Sequence, residues 1–254
     1  MLHTHIADCN KVVFKLMKAI IFDMDGVLVN TMPFHYEAMK AAVKEATDIE
    51  LDKRTFYLLE GMSINEMAQK ILELNGYDTK RREKTGLDII AQKIGTKKKQ
   101  IFLEETKQIP ESFQSVRELI LYGLEGCLRA VVTGSSKQEL ETIIEHNFGK
   151  DVFDVAINGD EFEGKGKPDP SSYNAALQRL GIPPSHALIV ENAPLGVQAA
   201  NNAKIKCIVI LNSSPLTSVD FKGIIKSDSI FTDINAASGM LKDWCNNSHN
   251  FIIT

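Results

Sequence analysis

The chain has 254 residues, 44% of them hydrophobic and 24% charged, with a formal net charge of −4. That length suits one large domain or a domain with a smaller module, and the composition is that of a globular chain. The acidic balance gives no case for nucleic acid or an anionic membrane as partner, and no uncharged apolar run approaches the roughly 18 residues that a bilayer crossing needs.

Residues 1–16, "MLHTHIADCNKVVFKL", lack a secretory core because Lys11 and Lys15 interrupt their only apolar patch. They are expected to form a disordered tail, or to lie upstream of a start at Met17; His3 and His5 offer metal donors, but a tail is the simpler reading. The run "KAIIFD" (18–23) then reads as a buried strand, as do "LRAVVTG" (128–134), "DVAIN" (154–158), "HALIVEN" (186–192) and "KCIVIL" (206–211). Helical patterns lie between them at 136–148, 171–181 and 194–204. The alternation predicts β-α-β units, hence a doubly wound parallel sheet covered on both faces. From Pro33 to Pro110 the pattern changes to helices alone, at 34–46, 63–76 and 86–106, which predicts an all-helical cap at 33–110 inserted into a core formed by 17–32 and 111–254. The basic clusters "KRREK" (80–84) and "KKK" (97–99) read as a solvated face of this insertion, with direct phosphate steering as the alternative. The four cysteines, Cys9, Cys127, Cys207 and Cys245, have no paired spacing and are expected to be reduced, in a cytoplasmic protein. Nothing bears on oligomeric state, and a monomer is the default expectation.

Four segments carry the chemistry. Asp23-Met24-Asp25-Gly26 ends the first strand with two carboxylates two residues apart. Both can face one pocket, one attacking phosphorus and the other moving a proton, while Gly26 permits a tight turn; a turn or helix cap is the plainer alternative. Thr133-Gly134-Ser135-Ser136 ends the second strand with hydroxyls and backbone N–H groups able to hold phosphate, or simply to cap the next helix. Gly166-Lys167-Pro168-Asp169-Pro170 is a stiff loop that offers an ammonium group, or an ordinary surface lysine. Val190-Glu191-Asn192-Ala193-Pro194 ends another strand with oxygens suited to Mg²⁺, or with Asn192 as a helix cap. Because ligands in such sheets sit at the carboxyl ends of the strands, Asp23, Thr133 and Glu191 are expected on one rim.

In this order the four segments, with the helical insertion directly after the first, resemble the haloacid dehalogenase superfamily, from about Met17 onward. The likeness is closest to its β-phosphoglucomutase and phosphoglycolate phosphatase branch, through "FDMDGVL", "GKPDP" and "LGVQAA". It implies a Rossmann-like core and a helical cap. It also implies Asp23 as a nucleophile that forms an aspartyl-phosphate, Asp25 as general acid and base, and Thr133 and Lys167 as catalytic groups that bind the phosphoryl oxygens. Mg²⁺ would be held by Asp23, by the Asp25 carbonyl and by Asn192, with Glu191 as a further candidate. Gly26, Gly134 and Ser135, with His35, Gly61 and Ser63 from the cap side, would contact a small phosphorylated metabolite.

The chain departs from the family pattern twice. Asn192 stands where an acidic residue is usual, which predicts weaker metal binding. Ile64 follows Ser63 where the mutases carry an arginine that grips the second phosphate of a bisphosphate intermediate. The expected activity is therefore a Mg²⁺-dependent phosphatase, with a sugar phosphomutase as the alternative and a non-catalytic binding protein behind it. A dehalogenase, which needs neither Asp25 nor a metal, is disfavoured.

Overall fold

The computed structural model describes residues 17–77, 84–162 and 165–246; the tail at 1–16, with Cys9, His3 and His5, and most of the basic cluster at 80–84 lie outside them. In chain order, β1 (Lys18–Asp23) is followed by α1 (Met32–Thr47), α2 (Lys53–Leu58), α3 (Ile64–Leu74) and α4 (Lys84–Glu105). Then come α5 (Gln114–Tyr122), β2 (Cys127–Val132), α6 (Lys137–Phe148), β3 (Val155–Ile157), α7 (Ser171–Leu180), β4 (Ala187–Glu191), α8 (Pro194–Asn202), β5 (Lys206–Ile210), β6 (Ile230–Phe231) and α9 (Ile234–Asn246). Among the described residues the strands form one parallel sheet in the order β3-β2-β1-β4-β5-β6.

The period-2 geometry of a strand sorts the β1 side chains onto two faces. Ile20 and Phe22 join Val131, Val190 and Ile208 beneath α5, α6 and α9, through residues such as Ile120, Ile143 and Leu241. Ala19 and Ile21 join Val132 and Ile189 against Tyr173 and Leu177 of α7 and Ala199 of α8. Both faces are thus apolar, which is why the central strands read as continuous hydrophobic runs. Register then fixes the rim: Asp23 lies opposite Val132, and Phe22 opposite Val190, so Thr133 and Glu191 flank Asp23.

Helices α1 to α4 lie between β1 and α5; α1 and α3 both pack on α4, around Met39, Val43, Ile71, Leu72 and Ile94. The cluster runs on into Val197, Val209 and Phe221, so this helical layer shares apolar surface with the sheet domain. Arg54 of α2 also pairs with Asp220.

One sequence expectation is overturned. Cys127, at the start of β2, and Cys245, on α9, form a disulfide across 118 residues of sequence. Sequence pattern assigns no helix at 234–246, so nothing in the chain shows that this segment folds back over β1 and brings Cys245 to Cys127. Cys207 is half-buried and free.

Gly196 shows how tightly the helix after β4 is set against the rim: a Cβ there would stand 2.0 Å from the Glu191 carboxyl carbon. Gly196→Ala should therefore lower unfolding free energy by about 2 kcal/mol, as for an overpacked site, in urea titration.

Candidate active site

The rim residues line a cavity of about 890 Å³ between the sheet and the helical layer. Asp23, Asp25, Thr133, Gly134, Ser135, Lys167 and Glu191 line it from the sheet side. From the other side it is walled by His35, Glu60, Gly61, Ser63, Lys98 and a largely apolar set that includes Met62, Ile64 and Phe102.

Lys167 has a side chain only 9% exposed, so it is no surface lysine; its Nζ lies 2.5 Å from Asp23 Oδ1 and 2.5 Å from Glu191 Oε1. Tyr173 donates its hydroxyl to the same Glu191 oxygen, and Glu191 Oε2 accepts from the Asn192 backbone N–H at 3.1 Å. Glu191 thus holds Lys167 and Tyr173 through Oε1 and the backbone through Oε2. Asp23 and Glu191 together raise the Lys167 ammonium well above its usual range against the opposing effect of burial, so it stays charged.

Asp25 accepts four hydrogen bonds. Thr31 Oγ1 (2.6 Å) and His35 Nε2 (3.2 Å) reach Oδ1, while Thr133 Oγ1 (3.0 Å) and Ser135 Oγ (3.2 Å) reach Oδ2. Burial works against ionisation, but His35, Thr31 and Thr133 outweigh it and hold this carboxyl well below the carboxylate range. The hydroxyls that sequence assigns to phosphate are here turned on Asp25. Capping falls instead to Ser136, whose Oγ and backbone N–H form a reciprocal box with Glu139 at the start of α6.

His35 has both ring nitrogens committed within the protein: Nε2 to Asp25, and Nδ1 to Lys98 Nζ at 2.8 Å. Its ring stacks on Phe102 at 4.1 Å between centroids. An ammonium can only donate, so Nδ1 accepts and Nε2 carries the proton toward Asp25. Burial and Lys98 hold this imidazole below its usual pKa, consistent with the neutral form. Lys98 is a correction to the reading of "KKK" as a solvated face: it is 7% exposed, whereas Lys97 pairs with Glu45 at 2.9 Å and Lys99 is exposed. Helical phase turns one lysine of the three inward, a signal that a composition-based reading overlooks.

The remaining expected residues divide. Gly61 and Ser63 sit where the helical layer meets the core: the Lys167 N–H donates to the Gly61 carbonyl at 2.7 Å, and a Cβ on Gly166 would stand 2.5 Å from that oxygen. The Ser63 hydroxyl is spent on the N-cap of α3 through Glu66. Gly26, at φ +79°, makes room for Asn192: a Cβ there would stand 2.4 Å from Asn192 Nδ2. Asn192 does not cap α8, whose N-cap is Ala193. Its amide nitrogen donates to the Asp25 carbonyl at 3.0 Å and to Glu60 Oε1 at 2.9 Å. Tyr173 and Lys98 are thus parts of the site that carry no sequence signature.

Acids outnumber bases in this space. Burial pushes the Asp23 carboxyl up to about 8, with Lys167 opposing and Glu191 and Asp25 adding to the shift. Burial, together with Asp23, also raises Glu60 well above its usual range. Asn192 Oδ1 and Glu60 Oε2 are buried without a hydrogen-bond partner. Among the described residues no group of three or more His, Cys, Asp or Glu side chains is disposed for a metal, so a cation here needs the mixed set of Asp23, the Asp25 carbonyl and the Asn192 amide. Excess buried negative charge and orphaned oxygens fit a hard divalent cation such as Mg²⁺.

Burial lowers Lys98 from 10.5 to about 8, with Glu139 and Asp25 opposing. Between pH 8 and pH 10.5 the folded chain therefore binds fewer protons than the unfolded one, and stability rises with pH through that window. Melting curves should show wild type gaining on Lys98→Met as pH is raised from about 7.5 to about 10.

Comparison with known proteins gives the same picture. A sequence profile described as haloacid dehalogenase-like hydrolase matches residues 20–210. A phosphorylated carbohydrates phosphatase of Thermotoga maritima is 30% identical over 198 residues, spanning 76% of this chain and 84% of its own. A β-phosphoglucomutase of Bacillus subtilis is 26% identical over 204 residues, spanning 80% of this chain and 88% of its own. A solved Bacteroides vulgatus structure, provisionally named a β-phosphoglucomutase, superposes with a TM-score of 0.73 at 27% identity over 92% of both chains. With the sheet order, the acidic rim and the inserted helices already in place, these matches show that the chain belongs to the haloacid dehalogenase-like hydrolase family.

Proposed function

We propose that this enzyme is a Mg²⁺-dependent phosphatase that hydrolyses a small phosphorylated metabolite, a sugar phosphate or similar monoester, through an aspartyl-phosphate on Asp23. The observation that carries the reading is the clasp of Asp23 and Glu191 by Lys167 beside Asp25, at the floor of a cavity closed from above by the helical layer.

The substrate phosphate takes the Thr133 and Ser135 hydroxyls from Asp25 and binds the Lys167 ammonium. Asp25 thereby loses two donors and gains a dianion beside it, and both changes raise its affinity for a proton. Asp23 forms its bond to phosphorus as the ester P–O bond breaks, and Asp25 protonates the departing oxygen. A water molecule then attacks phosphorus, Asp25 takes its proton, and Asp23 is released with inorganic phosphate. His35 and Lys98 orient Asp25 throughout. Mg²⁺, held by Asp23, the Asp25 carbonyl and Asn192, would supply positive charge that favours the ionised form of Asp23 and lets the phosphate approach it. Glu191 serves this reading better as the anchor of Lys167 than as a metal ligand.

Water, rather than a second sugar hydroxyl, is the favoured acceptor because Ile64 stands on the cavity wall where a mutase needs a cation for the far phosphate. Relatives named as phosphatases of phosphorylated carbohydrates and of fructose 1-phosphate support the substrate class. The reading takes the chain as a monomer in the cytoplasm, with no nucleic-acid or membrane partner. The acidic net charge speaks against a nucleic-acid partner, while the Cys127–Cys245 disulfide weighs against a reducing compartment.

Asp23→Asn should lower phosphate release from p-nitrophenyl phosphate at least about a thousandfold, and undiminished release would refute the nucleophile assignment. With β-glucose 1-phosphate, inorganic phosphate should appear faster than the 6-phosphate; the reverse order would establish the mutase.

A further inference from the structure

Glu60 has no part in the phosphate chemistry described above, yet it is the side chain through which the helical layer touches the cation set. It lies on the loop between α2 and α3, two residues past Leu58, and accepts from Asn192 Nδ2 at 2.9 Å. The same amide nitrogen donates to the Asp25 carbonyl at 3.0 Å, so one NH₂ group bridges two oxygens. The oxygens left over, Glu60 Oε2 and Asn192 Oδ1, are buried with no partner, and Asn192 as a whole is 3% exposed.

This arrangement has the form of a cation site held together by a substitute. The NH₂ group supplies partial positive charge between Glu60 and the Asp25 carbonyl, where oxygens converge from two elements distant in sequence. Turning the amide over exchanges Nδ2 for Oδ1, and three oxygens then share one place with no hydrogen between them. With Glu60 ionised a cation satisfies that set, and with a neutral amide at position 192 the negative charge on this side of it comes from Glu60. A hard divalent ion gains affinity with each carboxylate in its shell.

Resting on the Mg²⁺-dependent reading above, we propose that Glu60 is a cation ligand carried by the helical layer. It replaces the charge that Asn192 lacks and makes cation binding and closure of that layer a single equilibrium. The loop is already pinned beside the site by the Lys167 N–H on the Gly61 carbonyl. When the layer lifts, the core retains only Asp23, the Asp25 carbonyl and a neutral amide, a weak set. The cation is then held firmly only in the closed form, where the Glu60 carboxylate is present.

Calorimetric titration of MgCl₂ into the full chain tests this without any turnover. Glu60→Gln, which keeps an oxygen for Asn192 Nδ2 but loses the charge, should bind Mg²⁺ about tenfold more weakly or worse. Glu60→Asp should retain more affinity than Glu60→Gln. Asn192→Asp should bind more tightly than wild type, and in that background Glu60→Gln should lose less than about threefold, because the charge is then supplied from the core. Hydrogen exchange at residues 59–63 should slow on adding Mg²⁺ to wild type but not to Glu60→Gln. Melting in EDTA establishes that each variant is folded. Wild-type affinity in Glu60→Gln, or no Mg²⁺ binding by wild type, overturns the proposal. If wild type hydrolyses esters while Glu60→Gln binds Mg²⁺ normally, the role of Glu60 falls and the phosphatase reading stands. If Mg²⁺ binding depends on Glu60 but no ester is turned over, the phosphatase reading falls and the ligand assignment stands.

Discussion

The contact on which the rest of the site depends is the buried ammonium of Lys167 between Asp23 and Glu191. Parallel register places the two carboxylates at adjacent strand ends, where their repulsion in a water-poor setting would be expensive without a cation between them. Lys167 cannot reach this position from a strand, so it arrives on the loop before α7. Tyr173, on α7 itself, donates to the same Glu191 oxygen as Lys167. Gly196 is small because the Glu191 carboxyl needs its space, and Gly166 because Gly61 and Ser63 press on it. A single charge requirement at the rim thus dictates side chains on β4, α7, α8 and two loops.

The second pole is Asp25, and its support comes mainly from outside the sheet. Thr31 precedes α1, His35 lies on α1 and Lys98 on α4, while Thr133 and Ser135 follow β2. The two aspartates are two residues apart yet live in different electrostatic surroundings. Asp23 is set among carboxylates and burial raises it, whereas four donors hold Asp25 ionised. The proposed roles of nucleophile and proton carrier need the opposite order, so phosphate and cation would have to lower Asp23 and raise Asp25 on binding.

Much of this was legible in the chain. Five strands and six helices announce themselves because both sheet faces are apolar and the helices are amphipathic or sharply capped. The two-residue strand β6 falls below any pattern, and the nine residues of α5 contain "LILY", an apolar run too short to tell helix from strand. The rim residues Asp23, Thr133, Lys167 and Glu191 are readable because strand ends and turn chemistry are local properties. Lys98 and Tyr173 are not, because their importance arises only when helices from distant parts of the chain are packed together. The same limit hides the Cys127–Cys245 pair, whose two halves meet only through α9.

The division between core and helical layer therefore differs from a catalytic floor with a passive roof. The roof contributes His35 and Lys98, which hold Asp25, and Glu60, which meets the Asn192 amide; in the same segments it contributes Met62, Ile64 and Phe102 to the cavity wall. Discrimination between leaving groups and adjustment of the catalytic charges are thus carried by neighbouring residues on one set of elements. A change in the loop at 59–64 that refits the cavity to a new substrate also moves Glu60 relative to Asn192, and one on the α4 face that carries Phe102 also moves the ring on which His35 is stacked. Specificity and catalytic competence should therefore drift together in this chain. An acidic residue at position 192 would loosen that coupling, because the core alone would then hold the charge that Glu60 now brings from above.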